Sequence, residues 1–345
     1  MTRGLAFDAV REQASSPPAQ ARVVVVGGGG GVGASVAFNL LLLAYPLEVV
    51  LVDRRPEMAV SHAMDLEQVV PLTCGGSVRV GDLDDVADAA IVVVTASVPL
   101  RLNASRMEFL VENARILDEL AERLHHDSIV LVVTNPVDAL VTWLWRLTGL
   151  QRQRIVGYTF NDSLRLRTGI GAALGVAQER VEAWVLGEHG EHSVPLFGRV
   201  AVDGQRRRLD RRQRADAEAF LRGWYRRHVG LNSGRTSTWT TGLGVARMIE
   251  SVVVGDGRVW PASVVLEGEY GLTGVSVGVP ISLGRCGVTR IHEWELTPEE
   301  RAAVEQGAAT VAGAAGAAID DRIPDGDRSP LTAVPMDRYV RDRGG

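Results

Sequence analysis

Residues 21–33 read ARVVVVGGGGGVG, a β-branched run that passes directly into five glycines. Such a run favours a buried strand, and glycine permits a tight turn after it because there is no Cβ to clash with the chain or a ligand. The apolar stretch 32–43 then predicts a helix whose first amide groups point at the turn. The segment therefore predicts a strand, a glycine turn and a helix N-terminus that together can hold a pyrophosphate.

The glycines satisfy two overlapping dinucleotide-binding patterns. GxGxxG is present as Gly28, Gly30 and Gly33, and GxxGxxG as Gly27, Gly30 and Gly33. A second predicted strand ends at Asp53, where a carboxylate can accept hydrogen bonds from ribose hydroxyls. Taken alone, Asp53 also fits a turn residue at the end of a strand. In this context it predicts NAD as the cofactor, because the same carboxylate would repel the 2′-phosphate of NADP.

Further apolar runs are typical of strands buried on both faces of a parallel sheet. They lie at 48–52, 91–95 and 129–134, with a helical pattern at 105–124. Alternating strands and helices predict an α/β fold, a Rossmann-type doubly wound parallel sheet. After this region the pattern changes and predicts a C-terminal α+β substrate domain. Its predicted elements are strands at 181–186, 199–202 and 277–283, helices at 162–174, 210–229 and 240–254, and a last helix capped near Thr297 that runs through 302–319.

The predicted organisation has four parts. A flexible N-terminal arm (1–20) precedes a dinucleotide-binding domain (21–156) and a catalytic domain (157–324), and a mobile tail follows (325–345).

The composition excludes several classes of protein. The chain has no lysine, so Schiff-base chemistry and the phosphate-binding lysine of P-loop proteins are excluded. A net charge of −5 gives no reason to expect nucleic acid or an anionic membrane as partner. Only Cys74 and Cys286 are present and no CxxC pair occurs, so no metal site is predicted. The lack of a signal peptide or a long apolar segment predicts a cytoplasmic protein.

Four polar motifs fall where ligands of such folds bind, or in the following domain. Asn135-Pro136-Val137-Asp138 follows a predicted strand, and Asp162 and Arg165 share one face of a predicted helix. His189 lies in a glycine-flanked turn, and Arg106 follows a loop beyond Thr95. Each motif alone has an ordinary structural explanation, as a cap, a surface ion pair or a turn. Together an acid, a carboxylate-binding arginine, a histidine and a loop arginine predict acid–base catalysis on an anionic substrate.

These motifs resemble the lactate/malate dehydrogenase family, closest to its malate-like branch, over about residues 22–320. The resemblance is carried by Val-Val-Val-Thr-Ala at 92–96, Asn-Pro-Val-Asp at 135–138, Leu-Gly-Glu-His-Gly at 186–190, Pro-Ala-Ser at 261–263, Leu-Glu-Gly-Glu-Tyr-Gly at 266–271 and Gly-Val-Pro at 278–280. It implies NAD-dependent interconversion of a small 2-oxo acid and its 2-hydroxy acid. The cofactor-binding residues implied are Gly27, Gly28, Gly30, Val32, Gly33, Asp53, Thr95, Ala96 and Asn135.

The resemblance also implies catalytic roles. His189 would exchange the proton with the substrate oxygen, and Asp162 would fix its tautomer and favour its charged form. Arg165 would bind the substrate carboxylate through a planar two-point contact, and Arg106 would polarise the carbonyl group. Asn135 would position the nicotinamide side and the reacting oxygen.

The chain departs from the family in the residues that face the substrate. Leu100 stands where malate enzymes carry arginine and lactate enzymes glutamine, and Asn161 stands where leucine is expected. We therefore expect that oxaloacetate is not the best substrate. Two alternatives remain open: Leu100 accepts a neutral side chain, or Arg101 turns inward and binds an acidic group such as a phosphonate. Ser237, Thr241 and Asn161, by the same resemblance, would add a mildly polar lining.

Two other classes compete with this interpretation. An NAD- and metal-dependent glycosidase would need a Cys/His metal site near the 135 or 189 motifs, where neither cysteine lies. A non-catalytic NAD-binding protein would not need Asp162, Arg165 and His189 together. The family also implies a homodimer or homotetramer, with the predicted helix near 61–70 as a candidate contact.

Overall fold

The computed structural model describes residues 21–98 and 106–320. Its helices are α1 (Gly31–Leu41), α2 (Pro56–Glu67), α3 (Arg106–Ala121), α4 (Val137–Thr148), α5 (Phe160–Leu174), α6 (Arg211–Gly230), α7 (Trp239–Val254) and α8 (Pro298–Asp320). Its strands are β1 (Ala21–Val26), β2 (Leu47–Val52), β3 (Ser77–Val80), β4 (Ile91–Val94), β5 (Ile129–Val132), β6 (Ile155–Tyr158), β7 (Val181–Glu182), β8 (Val185–Gly187), β9 (Ser193–Pro195), β10 (Ala201–Val202), β11 (Gln205–Arg206), β12 (Val259–Glu267), β13 (Thr273–Gly284) and β14 (Gly287–Ile291).

Six parallel strands form the first half of the main sheet, in the order β3-β2-β1-β4-β5-β6. Val26 pairs with Val52 on one side and Val94 on the other, and Val94 pairs with Val132. The strands therefore end at one edge, where ligands of doubly wound sheets bind. Strands β1, β4 and β5 are almost purely β-branched and buried, as expected when helices cover both faces of a parallel sheet.

The sheet continues into the second half of the chain with reversed strand direction. Strand β12 pairs antiparallel with β6, and β13, β8 and β9 follow, while β14 adds to β13. Strands β11, β10 and β7 form a separate small sheet. Because β8 pairs with β13 at Gly187 and Gly278, the turn after β8 is brought to the same edge as the ends of the parallel strands.

The predicted fold class is confirmed, but several elements differ from the sequence-based prediction. Strands β3, β6 and β12 were not predicted, because they are short or contain glycine or proline. Helix α4 was not predicted either, although Val137, Leu140, Val141 and Leu144 recur at helical spacing. The predicted strand 181–186 divides into β7 and β8, and only 201–202 of the predicted strand 199–202 is extended. The domain boundaries stay predictions, and the arm 1–20 and the tail 325–345 lie outside the described residues. Among those described, no helix combines the length and apolar character that crossing a membrane requires.

Candidate active site

The turn between β1 and α1 is built from backbone contacts that admit only glycine at key positions. Gly27 has φ of +93°, and a Cβ there would overlap the backbone of Ala96. A Cβ on Gly33 would overlap the carbonyl oxygen of Gly27, and one on Gly28 would lie 3.0 Å from the Cβ of Leu51. The turn therefore packs against the ends of β2 and β4 with no space for side chains.

The amides at the start of α1 have no acceptor within the helix and face this turn. The Asp53 carboxylate lies beside it: Oδ2 accepts from Gly29 N at 2.9 Å and Oδ1 accepts from Arg55 N at 3.0 Å. Thr95 and Ala96 both donate their amides to the Val26 carbonyl, so the end of β4 forms the other wall. A glycine cradle, free helix amides and an adjacent carboxylate fit the pyrophosphate and ribose of a dinucleotide.

A hydrogen-bonded cluster of His189, Asp162 and Arg165 lies across the edge from this turn. His189 Nδ1 and Asp162 Oδ2 are 2.6 Å apart, and Arg165 Nη1 donates to Asp162 Oδ1 at 3.0 Å. Asp162 and Arg165 are in the first two turns of α5, and His189 follows β8. Their side chains are 17% (His189), 10% (Asp162) and 16% (Arg165) exposed, so the cluster is shielded while the imidazole keeps some solvent access.

Burial and charge act in opposite directions on this cluster. Burial alone would lower the pKa of His189, but the attraction and the hydrogen bond of the Asp162 carboxylate outweigh it, and the net pKa is raised above 6.5. Burial alone would raise the pKa of Asp162, but His189 and Arg165 hold it below its ordinary value. The arrangement thus favours an imidazolium paired with a carboxylate.

A second buried carboxylate, Asp138, supports the backbone of His189. Its Oδ2 accepts from His189 N at 2.7 Å, and its Oδ1 accepts from the Ser263 hydroxyl at 2.5 Å. Burial raises the pKa of Asp138 to about 6, against these hydrogen bonds. Helix α8 closes on the same turn, since a Cβ on Gly307 would lie 3.2 Å from the Cβ atoms of Glu188 and His192. Asp138 stood in the quoted Asn-Pro-Val-Asp motif, but this role was not predicted.

Asn161 heads a polar group next to Asp162. Its Oδ1 accepts from the Tyr158 hydroxyl at 2.9 Å, and its Nδ2 donates to Thr241 Oγ1 at 2.8 Å and to Ser237 Oγ at 3.4 Å. Asn161 and Thr241 are buried. The structure therefore brings together the three residues that the resemblance assigned to a polar lining.

The remaining candidates lie around the loop after β4. Leu100 and Arg101 lie outside the described residues, and Arg106 opens α3 with a side chain that is likewise not described. Asn135 is exposed just beyond β5, joined to Pro136 by a cis peptide bond. Asn113 of α3, which the sequence did not single out, ties the two segments together. It accepts from Val98 N at 2.9 Å and donates to the Asn135 carbonyl at 2.8 Å.

One group of potential metal ligands comes together among the described residues. It consists of His125, His126 and Asp127, all exposed. They precede β5, at the end of the sheet opposite to Asn135. The described cysteine side chains, Cys74 and Cys286, are free and exposed. The metal-dependent glycosidase hypothesis therefore gains no support from this group.

Comparison with known proteins agrees with this geometry. Residues 21–157 match the family model of the lactate/malate dehydrogenase NAD-binding domain, and 159–313 match the α/β C-terminal domain of the same family. The malate dehydrogenase of Halobacterium salinarum is 36% identical over 283 residues, which cover 80% of this chain and 92% of that protein. L-lactate dehydrogenase 1 of Bacillus cereus is 32% identical, covering 78% and 89%.

A solved structure gives the same result. The lactate dehydrogenase of Cryptosporidium parvum, in complex with lactic acid and NAD, matches with a TM-score of 0.82 and 26% identity, over 89% of this chain and all of that one. The chain belongs to the lactate/malate dehydrogenase family. It is an NAD-dependent oxidoreductase that acts on the CH–OH group of 2-hydroxy acids, so the predicted family, enzyme class and cofactor are confirmed.

Proposed function

We propose that the preferred substrate of this enzyme is a small 2-oxo acid other than oxaloacetate, with His189 as acid–base catalyst and Arg165 as carboxylate-binding residue. The observation that carries the assignment of roles is the Asp162 carboxylate, which holds His189 with one oxygen and Arg165 with the other. An ionised carboxylate can only accept, so His189 Nδ1 is the donor in this pair. The other ring nitrogen, Nε2, is then the atom that exchanges a proton with the substrate.

The reduction follows from these donors. The glycine turn and Asp53 would hold NADH, which would supply the hydride that C2 of the substrate receives. Protonated His189 donates its Nε2 proton to the carbonyl oxygen, and the resulting neutral imidazole keeps its Nδ1 proton on Asp162. Arg165 uses Nη1 for Asp162, which leaves its Nε and Nη2 edge for a two-point contact with the substrate carboxylate. Arg106, by family resemblance, polarises the carbonyl, and oxidation reverses each step.

Asp138 contributes by holding the turn that carries His189. Its carboxylate bridges the His189 amide and the Ser263 hydroxyl of β12, which fixes the imidazole relative to the sheet. Burial raises the pKa of Asp138 to about 6, and the negative charge of its ionised form also raises the pKa of His189 and so favours the imidazolium.

The substrate preference rests on charge. A dianionic substrate in a closed site needs a partner for its second carboxylate, because an unpaired buried charge costs several kcal/mol. Leu100 offers no partner, and the polar group of Asn161, Ser237 and Thr241 has no net charge. We expect a neutral side chain, as in pyruvate or a longer 2-oxo acid. The relatives include both malate and lactate dehydrogenases, so likeness alone does not choose between them.

The deciding experiment uses stopped flow to monitor the oxidation of NADH with pyruvate, 2-oxoisocaproate, oxaloacetate and phosphonopyruvate. We expect the highest kcat/KM for a 2-oxo acid with a neutral side chain, and we expect Arg101→Ala to leave this preference unchanged. A preference for phosphonopyruvate that Arg101→Ala removes would instead show that Arg101 binds the acidic group. A clear preference for oxaloacetate that Arg101→Ala leaves unchanged would refute both the neutral-side-chain and the Arg101 hypotheses. If none of the acids oxidised NADH, the proposed reduction itself would be refuted.

We also propose that the enzyme is at least a homodimer in the cytoplasm. Helices α2 and α7, and α1 with the residue directly after it, expose six large apolar side chains: Phe38, Leu42, Val60, Met64, Trp239 and Leu243. Patches of this kind mark interaction surfaces, and α2 overlaps the helix predicted near 61–70 as a contact. Sedimentation of Met64→Asp should show a smaller species than the parent protein, while Tyr225→Asp, an exposed aromatic on α6, should not change the mass.

A further inference from the structure

The guanidinium of Arg165 lies on the face of an indole ring. Its Cζ is 4.1 Å from the ring centroid of Trp224, which belongs to α6. The Trp224 ring in turn stacks on His228, with 4.9 Å between centroids and 12° between planes. Trp224 thus contacts both the guanidinium of Arg165 and the imidazole of His228.

Close packing of α5 on α6 places these groups in contact. A Cβ on Gly169 of α5 would lie 2.9 Å from the carbonyl oxygen of Ala217 and 3.2 Å from its Cα, so the helices nearly touch there. Arg165 is one turn before Gly169, and Trp224 is two turns after Ala217. The helices therefore run antiparallel, and the spacing from the glycine contact brings the indole over the guanidinium.

The other end of the stack joins the segment before α7. His228 Nε2 donates to the Arg235 carbonyl at 2.9 Å, since a carbonyl can only accept. Two residues later, Ser237 Oγ lies 3.4 Å from Asn161 Nδ2. The stack thus connects Arg165 with the polar group that lies beside Asp162.

We propose that Trp224 is a positioning residue for substrate binding, which holds the guanidinium plane of Arg165 ready for the substrate carboxylate. This rests on the proposed role of Arg165. The indole face attracts the cation and fixes its plane, while Asp162 fixes its Nη1 edge. Among the described residues, no other hydrogen bond engages the guanidinium, so its Nε and Nη2 edge stays oriented and available. A long, flexible side chain then loses little freedom when the substrate binds.

The test compares Trp224→Met, which keeps an apolar side chain but removes the ring, with Trp224→Phe, which keeps a ring. Trp224→Met should raise KM about three- to thirtyfold for both pyruvate and oxaloacetate by a similar factor, because both carry the carboxylate that Arg165 binds. The turnover number and the Kd of NADH should stay near those of the parent. Trp224→Phe should recover most of the loss, and the neighbouring exposed Tyr225→Leu should have no effect.

Arg165→Ala separates this inference from the proposed function. If Arg165→Ala leaves KM unchanged, the proposed carboxylate-binding role is wrong. Two results would overturn the positioning role of Trp224 even if Arg165→Ala raises KM. In the first, Trp224→Met leaves KM unchanged; in the second, Trp224→Met and Trp224→Phe raise KM equally. On the Arg165→Ala background, Trp224→Met should cause no further rise in KM, and a full additional rise would also overturn it. If Trp224→Met does not fold, Trp224→Phe and Trp224→Tyr decide, because both keep a ring face and should stay within about threefold of the parent KM.

Discussion

The two sides of the active site are built from different parts of the chain. The glycine turn is a backbone structure, in which Gly27 and Gly28 pack against the ends of neighbouring strands and Gly33 packs against Gly27. The acid–base cluster is a side-chain structure, in which Asp162 joins a histidine and an arginine from different elements. The glycine turn depends on the absence of Cβ atoms, whereas the acid–base cluster depends on the positions of its charged side chains. Substitutions should therefore act on cofactor binding in the first case, and on proton transfer and substrate binding in the second.

The largest expected effect tests the chemistry side. His189→Ala removes the proton donor and should lower kcat by roughly a hundredfold or more, since general acid–base catalysis contributes that much. The Kd of NADH, measured by fluorescence titration, should remain near that of the parent, because His189 is not part of the glycine turn. A variant that kept most of its turnover would show that another group transfers the proton.

The second effect tests the backbone side. Gly33→Ala places a Cβ against the Gly27 carbonyl, and overpacking of this kind destabilises the folded state by about 1–3 kcal/mol. We expect a lower free energy of unfolding and weaker NADH binding, with the remaining bound enzyme close to normal in kcat. Gly31→Ala is the matched control for stability, since its Cβ would lie 3.8 Å from the nearest atoms, those of Thr238. Equal stability of the two variants would contradict the packing argument.

A smaller effect concerns the choice of cofactor. The Asp53 carboxylate should favour NADH over NADPH by at least about tenfold in kcat/KM, on the order of 1.4 kcal/mol. The exposed guanidinium groups of Arg54 and Arg55 follow directly and reduce the repulsion of a 2′-phosphate. Asp53→Ser should narrow the ratio. Equal efficiency of the parent enzyme with both cofactors would refute the assignment of Asp53.

The finest distinction is in the pH profile. Because the pKa of His189 is raised above 6.5, the reductive kcat/KM should hold its plateau beyond pH 6.5 and fall as the pH rises through that pKa. The oxidative reaction should increase over the same range. Asp162→Asn removes the charge that contributes most to raising the pKa of His189. Burial and the charge of Arg165 then outweigh the carboxylate of Asp138 and lower this pKa, so the fall of the reductive kcat/KM should move to lower pH. If the fall of the reductive kcat/KM stayed at the same pH in Asp162→Asn, Asp162 would not set the charge of His189.

The sequence predicted the backbone side directly. Its strand, glycines and helix are contiguous, and Asp53 follows at the end of the next strand, so a local pattern was enough. Strands β3, β6 and β12 were missed because they are short or contain glycine and proline within apolar runs. The acid–base side needed the family resemblance, since His189 and Asp162 are 27 positions apart and no local pattern joins them.

Contacts between distant elements explain what the sequence did not predict. Asp138 and Ser263 are 125 positions apart, and they meet only because β12 pairs with β6 beside α4. Trp224 is one of several apolar residues in an arginine-rich helix, and nothing in its spacing indicates Arg165. It became a candidate only when the Gly169–Ala217 contact fixed how α5 and α6 cross.

The contact of Gly307 with Glu188 and His192 has a consequence for biosynthesis. The strands and the glycine turn of the NAD-binding half come early in the chain, but α1 packs against α7, where a Cβ on Gly242 would overlap Ser35, so the cofactor site gains its last helix contact once α7 has been made. The turn that carries His189 is also translated well before α8, and its contacts with Gly307 form only when α8 has emerged. During synthesis the nascent protein should therefore acquire the ability to bind its cofactor first, and become a catalyst only when its last described helix has docked.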